Sequence, residues 1–458
     1  MSDFKFKIKP IKVTKINTKF RKINTRIPAP GTINILKSLD KFEARSMHGQ
    51  IPIVWDNAKN FTITDIAGNK WIDFTSSIFM ANTGHSNINV NKAINKTLTN
   101  SLYSSYTYPN KLRSNYLKKL IKFVGKPFQK AFLVSSGTEA VEVGIKLMRM
   151  YGKNKSKNKK GIITLEGNWH GRTMGAQMLT SNLSQKKWIG YKDPNIYHLP
   201  FPYPWAVENN FKKFFFNSIN KLKKKKNLNF KKNICGIILE SFQGWGAIFY
   251  PNQYIQELNS FCKKNNIILM FDEMQAGFGR TGKVFGFQHY KIKPDLVACG
   301  KGLGGGVPLS AIIGKKFLMD LPDIGSMSST HSANPLVCAA GEAVINEIQN
   351  KNLIKESFRK GLILHTKLKE LKSINPKIIK DIYGKGLVAS IIFNKTKNYS
   401  PSFLASTIVE KCMQKGLLLV HTGRESIKIG PPLTISDKAL IEGIDVIIQV
   451  FKEEIKKS

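Results

Sequence analysis

The chain has 458 residues, 42% of them hydrophobic and 35 of them glycine, a composition that excludes disordered and fibrous classes and leaves room for two or three domains around a substantial core. Lys and Arg number 72 against 30 Asp and Glu, a formal net charge of +42, and that balance alone points toward nucleic acid or an anionic surface. No apolar run reaches membrane-spanning length, and no nucleic-acid motif accompanies runs such as KNKSKNKK (153–160) and KLKKKKNLNFKK (221–232), so the charge is assigned to solvated faces, with neither nucleic acid nor membrane as partner.

In chain order, residues 4–39 lack Asp and Glu. Their basic residues alternate at period two and no apolar h-region appears, so the segment reads as a basic arm in preference to a targeting peptide. TITDIAGNKWIDF (62–74) reads as a hairpin turning at Ala67, Gly68 and Asn69. From about 130 to 315 short apolar runs alternate with helical patterns: AFLVS (131–135), GIITL (161–165), CGIILE (235–240), IILMFDE (267–273), DLVAC (295–299) and LSAIIG (309–314). This alternation is the mark of a parallel sheet with crossover helices, among them TEAVEVGIKLMRMYG and PNQYIQELNSFCKKNN. From about 345 a long helical periodicity precedes short strands around GLVASIIF and a last helix.

The expected architecture is α/β: a large, mostly parallel domain over 86–344, and a smaller α+β domain from both chain ends, 1–85 with its basic arm and 345–458. The five cysteines, Cys235, Cys262, Cys299, Cys338 and Cys412, form no CxxC pair and read as reduced, mostly buried thiols of a cytoplasmic protein. No metal site is expected.

Ligands of parallel α/β sheets bind at the carboxyl ends of the strands, and five ends here carry polar residues. In SSGTEA the N–H groups of Gly137 and Thr138 and the Thr138 hydroxyl are expected to face one point at a helix N-terminus, an anion site such as a phosphate needs; simple capping by Ser136 or Thr138 is the alternative. Asp272 ends an apolar strand, where a buried acid requires a cation or a metal. Glu240, Asp272 and Lys301 recur about one strand-helix-strand unit apart, which predicts corresponding heights on three strands. Lys301 lies among five glycines in GKGLGGG, with Gly302 where a nucleotide P-loop has Ser or Thr. GFGRTG (277–282) spells GxGxxG without the helix entry that dinucleotide binding demands, and is set aside. A lysine able to form a Schiff base, an acid for a pyridinium nitrogen, a helix end for a phosphate and the flat ring of Trp169 are together what pyridoxal phosphate requires.

These motifs, with TRIPAPGT, DFTSSIFMANTGH, WHGRT, ESFQG, FDEMQAGFGRTG, STHSANPLVCAA and IGPPL, resemble the class III pyridoxal-phosphate-dependent aminotransferases, the group of 4-aminobutyrate, ornithine and acetylornithine aminotransferases, over nearly the whole chain. The resemblance implies fold type I and pyridoxal 5'-phosphate as cofactor. It makes Lys301 the lysine that carries the cofactor and moves the substrate proton, and Asp272 the partner of the pyridine nitrogen. It gives Gln275 the phenolic oxygen, Trp169 the ring, and Gly137 and Thr138 the phosphate. Glu240 joins these contacts, and Thr330 arrives from the other subunit of a homodimer with shared sites. Arg172 in WHGRT matches the arginine for a distal carboxylate, whose bidentate fork suits that group; pairing with Glu166 is the plainer alternative.

Two positions depart from the family pattern. Trp245 stands where relatives carry a switch glutamate, and Lys428 where they carry its arginine partner. Trp245, Lys428 and Ile78, the last preceded by Ser77 where the family has glycine, are therefore the residues expected to shape the substrate pocket. Arg424 is a candidate substitute carboxylate ligand. The implied reaction is ping-pong transfer of an amino group from an amino acid, such as the ω-amino acid 4-aminobutyrate, to a 2-oxo acid such as pyruvate. A racemase, epimerase or decarboxylase on the same cofactor is the alternative, and a basic nucleic-acid binder on an inactive enzyme fold is a third reading.

Overall fold

The computed structural model describes residues 4–207 and 210–455. The six forecast runs are strands of one seven-stranded sheet: β1 (Lys130–Val134), β2 (Gly161–Leu165), β4 (Ile234–Glu240), β5 (Ile268–Asp272), β6 (Leu296–Cys299) and β7 (Ser310–Gly314), joined by an unforecast β3 (Ile196–Leu199). The order is β1-β7-β6-β5-β4-β2-β3. Strands β2, β4 and β5 are buried at every position, as strands covered by helices on both faces must be. Half-buried β3 lies at the edge, and too few of its residues are apolar to announce it.

The sheet is mostly parallel, as expected, with one strand reversed. β7 runs antiparallel to both β6 and β1, while the other pairings are parallel. The connection Gly300–Leu309 is too short to hold the crossover that a parallel return requires, and it is this connection that contains Lys301.

Helix α1 (Gly137–Lys153) starts at a capping box: Ser136 Oγ accepts the Glu139 N–H, and the Glu139 carboxylate accepts the Ser136 N–H. Its buried face, Ala140, Val141, Gly144, Ile145, Leu147 and Met148, follows helical spacing and packs on the sheet with Met270, Ala298 and Ile312. One lysine of the 153–160 run is not solvated. Lys159 is buried, its ammonium donating to the carbonyls of Lys231 (2.9 Å) and Asn265 (3.3 Å), and burial lowers its pKa.

The chain ends share a sheet. The expected hairpin pairs Thr62–Asp65 with Lys70–Asp73 through a turn with Gly68 at φ 76°, and Leu417–Leu418 adds in parallel to Lys70–Asp73. The basic arm buries Phe6, Ile23 and Ile27. The helical stretch near 345 is two helices, Pro335–Asn350 and Leu353–Ile374, separated where Asn352 turns left-handed (φ 49°). A four-stranded antiparallel sheet follows, β8 (Ile379–Lys385), β9 (Val388–Phe393), β10 (Val420–His421) and β11 (Ser426–Ile429), in the order β8-β9-β11-β10. Asp437–Ile455 forms the last helix. All five cysteines are free and buried, and among the described residues no helix is long and apolar enough to cross a membrane.

GFGRTG has a structural task. Arg280 is fully buried and donates to the carbonyls of Leu387 (2.9 Å) and Pro431 (2.5 Å), to Asn82 Oδ1 (2.6 Å) and to Ser76 Oγ (3.2 Å). Burial pushes its pKa down to about 9, with Asp73 opposing. Ser76 opens a turn in which four consecutive non-glycine residues, Ser76, Ser77, Ile78 and Phe79, have φ between 49° and 70°. The guanidinium lies 5.1 Å from the centre of the Phe79 ring, so it fixes the turn at both ends. Arg280→Leu strands four buried acceptors at once and is expected to cost about 3 kcal/mol or more, read as a lowered urea midpoint. A shift within about 0.5 kcal/mol, typical of surface substitutions, would show that the turn holds without it.

Candidate active site

Two carboxylates emerge side by side at the carboxyl edge of the central sheet, because Asp272 at the end of β5 is the register partner of Glu240 at the end of β4. Both are buried, each 4% exposed. Asp272 is paired with histidine and not with a local arginine: His170 Nδ1 lies 2.9 Å from Asp272 Oδ2, and the Met274 N–H donates to Oδ1 at 3.0 Å. A carboxylate only accepts, so His170 carries its proton on Nδ1; Thr164 Oγ1 lies 3.2 Å from Nε2. His170 was not singled out in the sequence, although it stands inside WHGRT. The only sequence signal for it was a histidine at the end of an apolar strand.

Glu240 accepts the N–H groups of Trp169 (3.0 Å) and Gly244 (3.3 Å) on Oε2, and Gln275 Nε2 (3.3 Å) on Oε1. Burial, reinforced by the charge of Asp272, pushes its pKa up to about 7. Gln275 passes the network on, its Oε1 accepting Lys428 Nζ at 2.7 Å. Lys428 is 5% exposed, and its ammonium lies 4.9 Å from the centre of the Phe79 ring. Phe79 thus has a cation on record from Arg280 and another from Lys428. Burial pushes the Lys428 pKa down to about 7; Glu240 opposes this and Lys301 adds to it.

Lys301 departs from the expected height. The register partner of Asp272 on β6 is Ala298, and Lys301 lies beyond the strand end, in a 3-10 turn with φ 47°. Its position is set by the turn and the close approach of glycines, not by strand register. A Cβ at Gly300 would lie 2.8 Å from Met274 Sδ, and one at Gly137 2.7 Å from the same atom, so the three strand ends converge on Met274. Burial lowers the Lys301 pKa against the raising effects of Asp272 and Glu240. Its amine makes no hydrogen bond or ion pair among the described residues.

At the start of α1 the capping box occupies Ser136 and Glu139 and leaves the N–H groups of Gly137 and Thr138 without a partner. The Thr138 hydroxyl is not free as expected. Thr173 gives its hydroxyl proton to Glu142 Oε1 (2.5 Å), so in the 2.6 Å contact Thr138 is the donor to Thr173 Oγ1; it also accepts the Thr173 N–H at 3.2 Å. Two backbone donors at a helix N-terminus still suit an anion.

The remaining candidates sit around this network. Trp169 is partly exposed and has the Arg172 guanidinium 4.8 Å from its ring centre. Arg172 does not pair with Glu166, and among the described residues it has no hydrogen bond or ion pair. Trp245 donates Nε1–H to Gln243 Oε1 (2.8 Å), and its ring lies under Arg424, whose guanidinium carbon is 4.0 Å from the ring centre and which also pairs with Glu425 (3.1 Å). Ile78 is 47% exposed on the left-handed turn. Thr330 is exposed on a loop before the helix Pro335–Asn350, and among the described residues no hydrogen bond joins its side chain to these residues. No cluster of His, Cys, Asp or Glu able to hold a metal occurs among the described residues. A buried unbonded amine, a carboxylate held by two donors, two free helix-end amides and an accessible indole fit an aldehyde cofactor with a basic ring nitrogen and a phosphate.

Comparison with known proteins agrees with this fit. A family model described as aminotransferase class-III matches residues 44–451. The acetylornithine aminotransferase of Clostridium acetobutylicum is 31% identical over 421 residues, 91% of this chain and 100% of that protein. The 4-aminobutyrate aminotransferase of Mycobacterium leprae is 28% identical over 445 residues, 94% of this chain and 98% of that one. The crystal structure of acetylornithine aminotransferase from Elizabethkingia anophelis superposes with a TM-score of 0.76 at 25% identity, covering 92% of this chain and 99% of that chain.

Lys428 makes a testable demand on stability. Its folded pKa of about 7 lies below the ordinary 10.5, so between those values the unfolded chain holds the proton more firmly, and stability rises with pH across that window. Lys428→Met abolishes this contribution. The variant's stability relative to the parent is expected to be greatest near pH 7 and to decline toward pH 10, read from urea midpoints at each pH. A difference independent of pH would mean that the amine stays charged in the fold.

Proposed function

Because the chain belongs to the class-III aminotransferases, which are pyridoxal-phosphate-dependent transaminases acting on amino and oxo acids, we propose that its amino donor is an ω-amino acid such as 4-aminobutyrate and its acceptor a 2-oxo acid with a single carboxylate, such as pyruvate. The observation that supports this most is Arg172, a guanidinium seated on the Trp169 ring with no acidic partner among the described residues, which suits a carboxylate at the end of the donor remote from the amine.

The bound cofactor supplies an electrophilic carbon for the amine and a ring that stabilises negative charge at the amine-bearing carbon. The chain's own residues do the rest. Lys301 brings an amine whose charged form burial disfavours, and its Nζ, unbonded among the described residues, would hold the cofactor and carry the proton at the amine-bearing carbon. Asp272, with both oxygens held by His170 and Met274, keeps a negative charge fixed for the pyridine nitrogen. The amides of Gly137 and Thr138 would hold the phosphate, Trp169 would meet the ring, and Gln275, tied to both Glu240 and Lys428, would bond the phenolic oxygen. Exposed Thr330 completes the phosphate site of a second subunit, which makes the working unit a homodimer.

On the acceptor side, Lys428 offers a point charge in place of a planar fork, and its amine is engaged by Gln275. Trp245 fills the position of the switch glutamate with an indole fixed on Gln243. Both changes weigh against a second acidic side chain on the acceptor and support pyruvate over 2-oxoglutarate.

Lys301→Ala is expected to lose the visible absorption of the lysine-bound cofactor and all activity, and retention of that absorption would sink the assignment. In the parent, 4-aminobutyrate should convert the chromophore to the pyridoxamine form, and pyruvate should restore it faster than 2-oxoglutarate. If no amino donor converts it while one amino acid loses optical purity, the enzyme is a racemase. Lys428→Arg should raise kcat/KM for 2-oxoglutarate relative to pyruvate by about tenfold, the value of one charged hydrogen bond; an unchanged ratio would remove Lys428 from acceptor selection.

A further inference from the structure

Trp245 also walls a cleft of about 350 Å³ that none of Lys301, Asp272, Glu240, Gln275 and Lys428 lines. Trp205, Lys380, Lys395, Ser402 and Glu425 are among its other walls. The volume falls in the range of small-molecule sites, and the lining has a pattern. Lys380 Nζ lies 4.0 Å from the centre of the Trp205 ring, and Tyr203 stacks on Trp205 at 4.7 Å with 15° between planes, which holds the indole rigid. Arg424 lies equally close over Trp245 and is neutralised by Glu425. Glu425 is the one carboxylate in the lining, and it is therefore consumed. Lys380 and Lys395 have no carboxylate partner among the described residues.

Two uncompensated ammonium groups beside flat, rigid indole walls favour a ligand that is anionic and planar. Ion pairs formed against aromatic surface keep more of their strength than those in open water. The walls come from distant parts of the chain: Trp205 and Trp245 follow strands β3 and β4, and Lys380 and Lys395 lie on and after β8 and β9. A ligand there would bridge the central sheet to the C-terminal one.

We propose that this cleft is a second small-molecule site, distinct from the Lys301 pocket, which binds a planar organic dicarboxylate. Phthalate is the probe, titrated calorimetrically into the cofactor-loaded enzyme. Saturable binding at one phthalate per chain is expected, at least tenfold weaker in Lys380→Ala/Lys395→Ala and retained in Lys380→Arg/Lys395→Arg. The visible cofactor absorption should be the same in all three proteins, which shows that they are folded and loaded. No saturable binding, or binding of parental strength in the double alanine variant, overturns the proposal. Loss of phthalate binding on Arg172→Ala would place the probe in the Lys301 pocket and overturn it equally. Inorganic phosphate binding as tightly as phthalate would overturn the requirement for a planar body.

Discussion

Two carboxylates brought side by side into an apolar strand edge are the constraint from which the site follows. Asp272 and Glu240 are held together by strand register, and neither can leave without breaking the centre of the sheet. Burying one charge costs several kcal/mol unless partners satisfy it, and burying two neighbouring like charges costs more. The surroundings answer in different ways. Asp272 receives an imidazole and an amide. Glu240 receives two amides and a carboxamide and has its pKa lifted to about 7. The two buried amines, Lys301 and Lys428, lie within the field of the pair and are themselves pushed toward neutrality. Glu240 and Lys428, each with a pKa of about 7, are thus held where protons move readily at ordinary pH.

Much of this was legible in the sequence because strand ends announce themselves. Continuous apolar runs ending in Glu240 and Asp272, and a serine-glycine turn before a helix, need no tertiary information to be read. What lay hidden depended on partners distant in sequence. His170 meets Asp272 across 102 residues, and no local pattern marks that pairing. Apolar periodicity does not carry strand direction, so it did not tell which strand of the mostly parallel sheet is reversed; the short connection before β7 was the overlooked clue. Lys301 was expected at strand height because spacing counts residues, whereas a left-handed turn decides where the side chain stands. Lys159 shows the same limit on the scale of charge, since a lysine inside a basic run proved to be buried, its amine donating to two carbonyls.

Lys428 and Trp245, the two departures noted in the sequence, are both tied into the network around the carboxylates or beside it. Lys428 is bound to Gln275 and Trp245 to Gln243, so each replacement is built into a hydrogen-bonded frame and does not simply occupy the space of a lost residue. Trp245 faces Arg424, while Gly244 before it donates its amide to Glu240.

The left-handed turn at Ser76–Phe79 has a consequence for the order in which the molecule comes together. Each non-glycine residue in that conformation costs roughly 1–2 kcal/mol, so four in succession cannot persist in an isolated segment. The restraints on this turn come from Arg280, and those on Arg280 from Leu387 and Pro431; Ser76 Oγ also donates to the Gly430 carbonyl at 2.6 Å. A nascent chain therefore cannot complete this turn until Gly430 and Pro431, within its last thirty or so residues, have emerged.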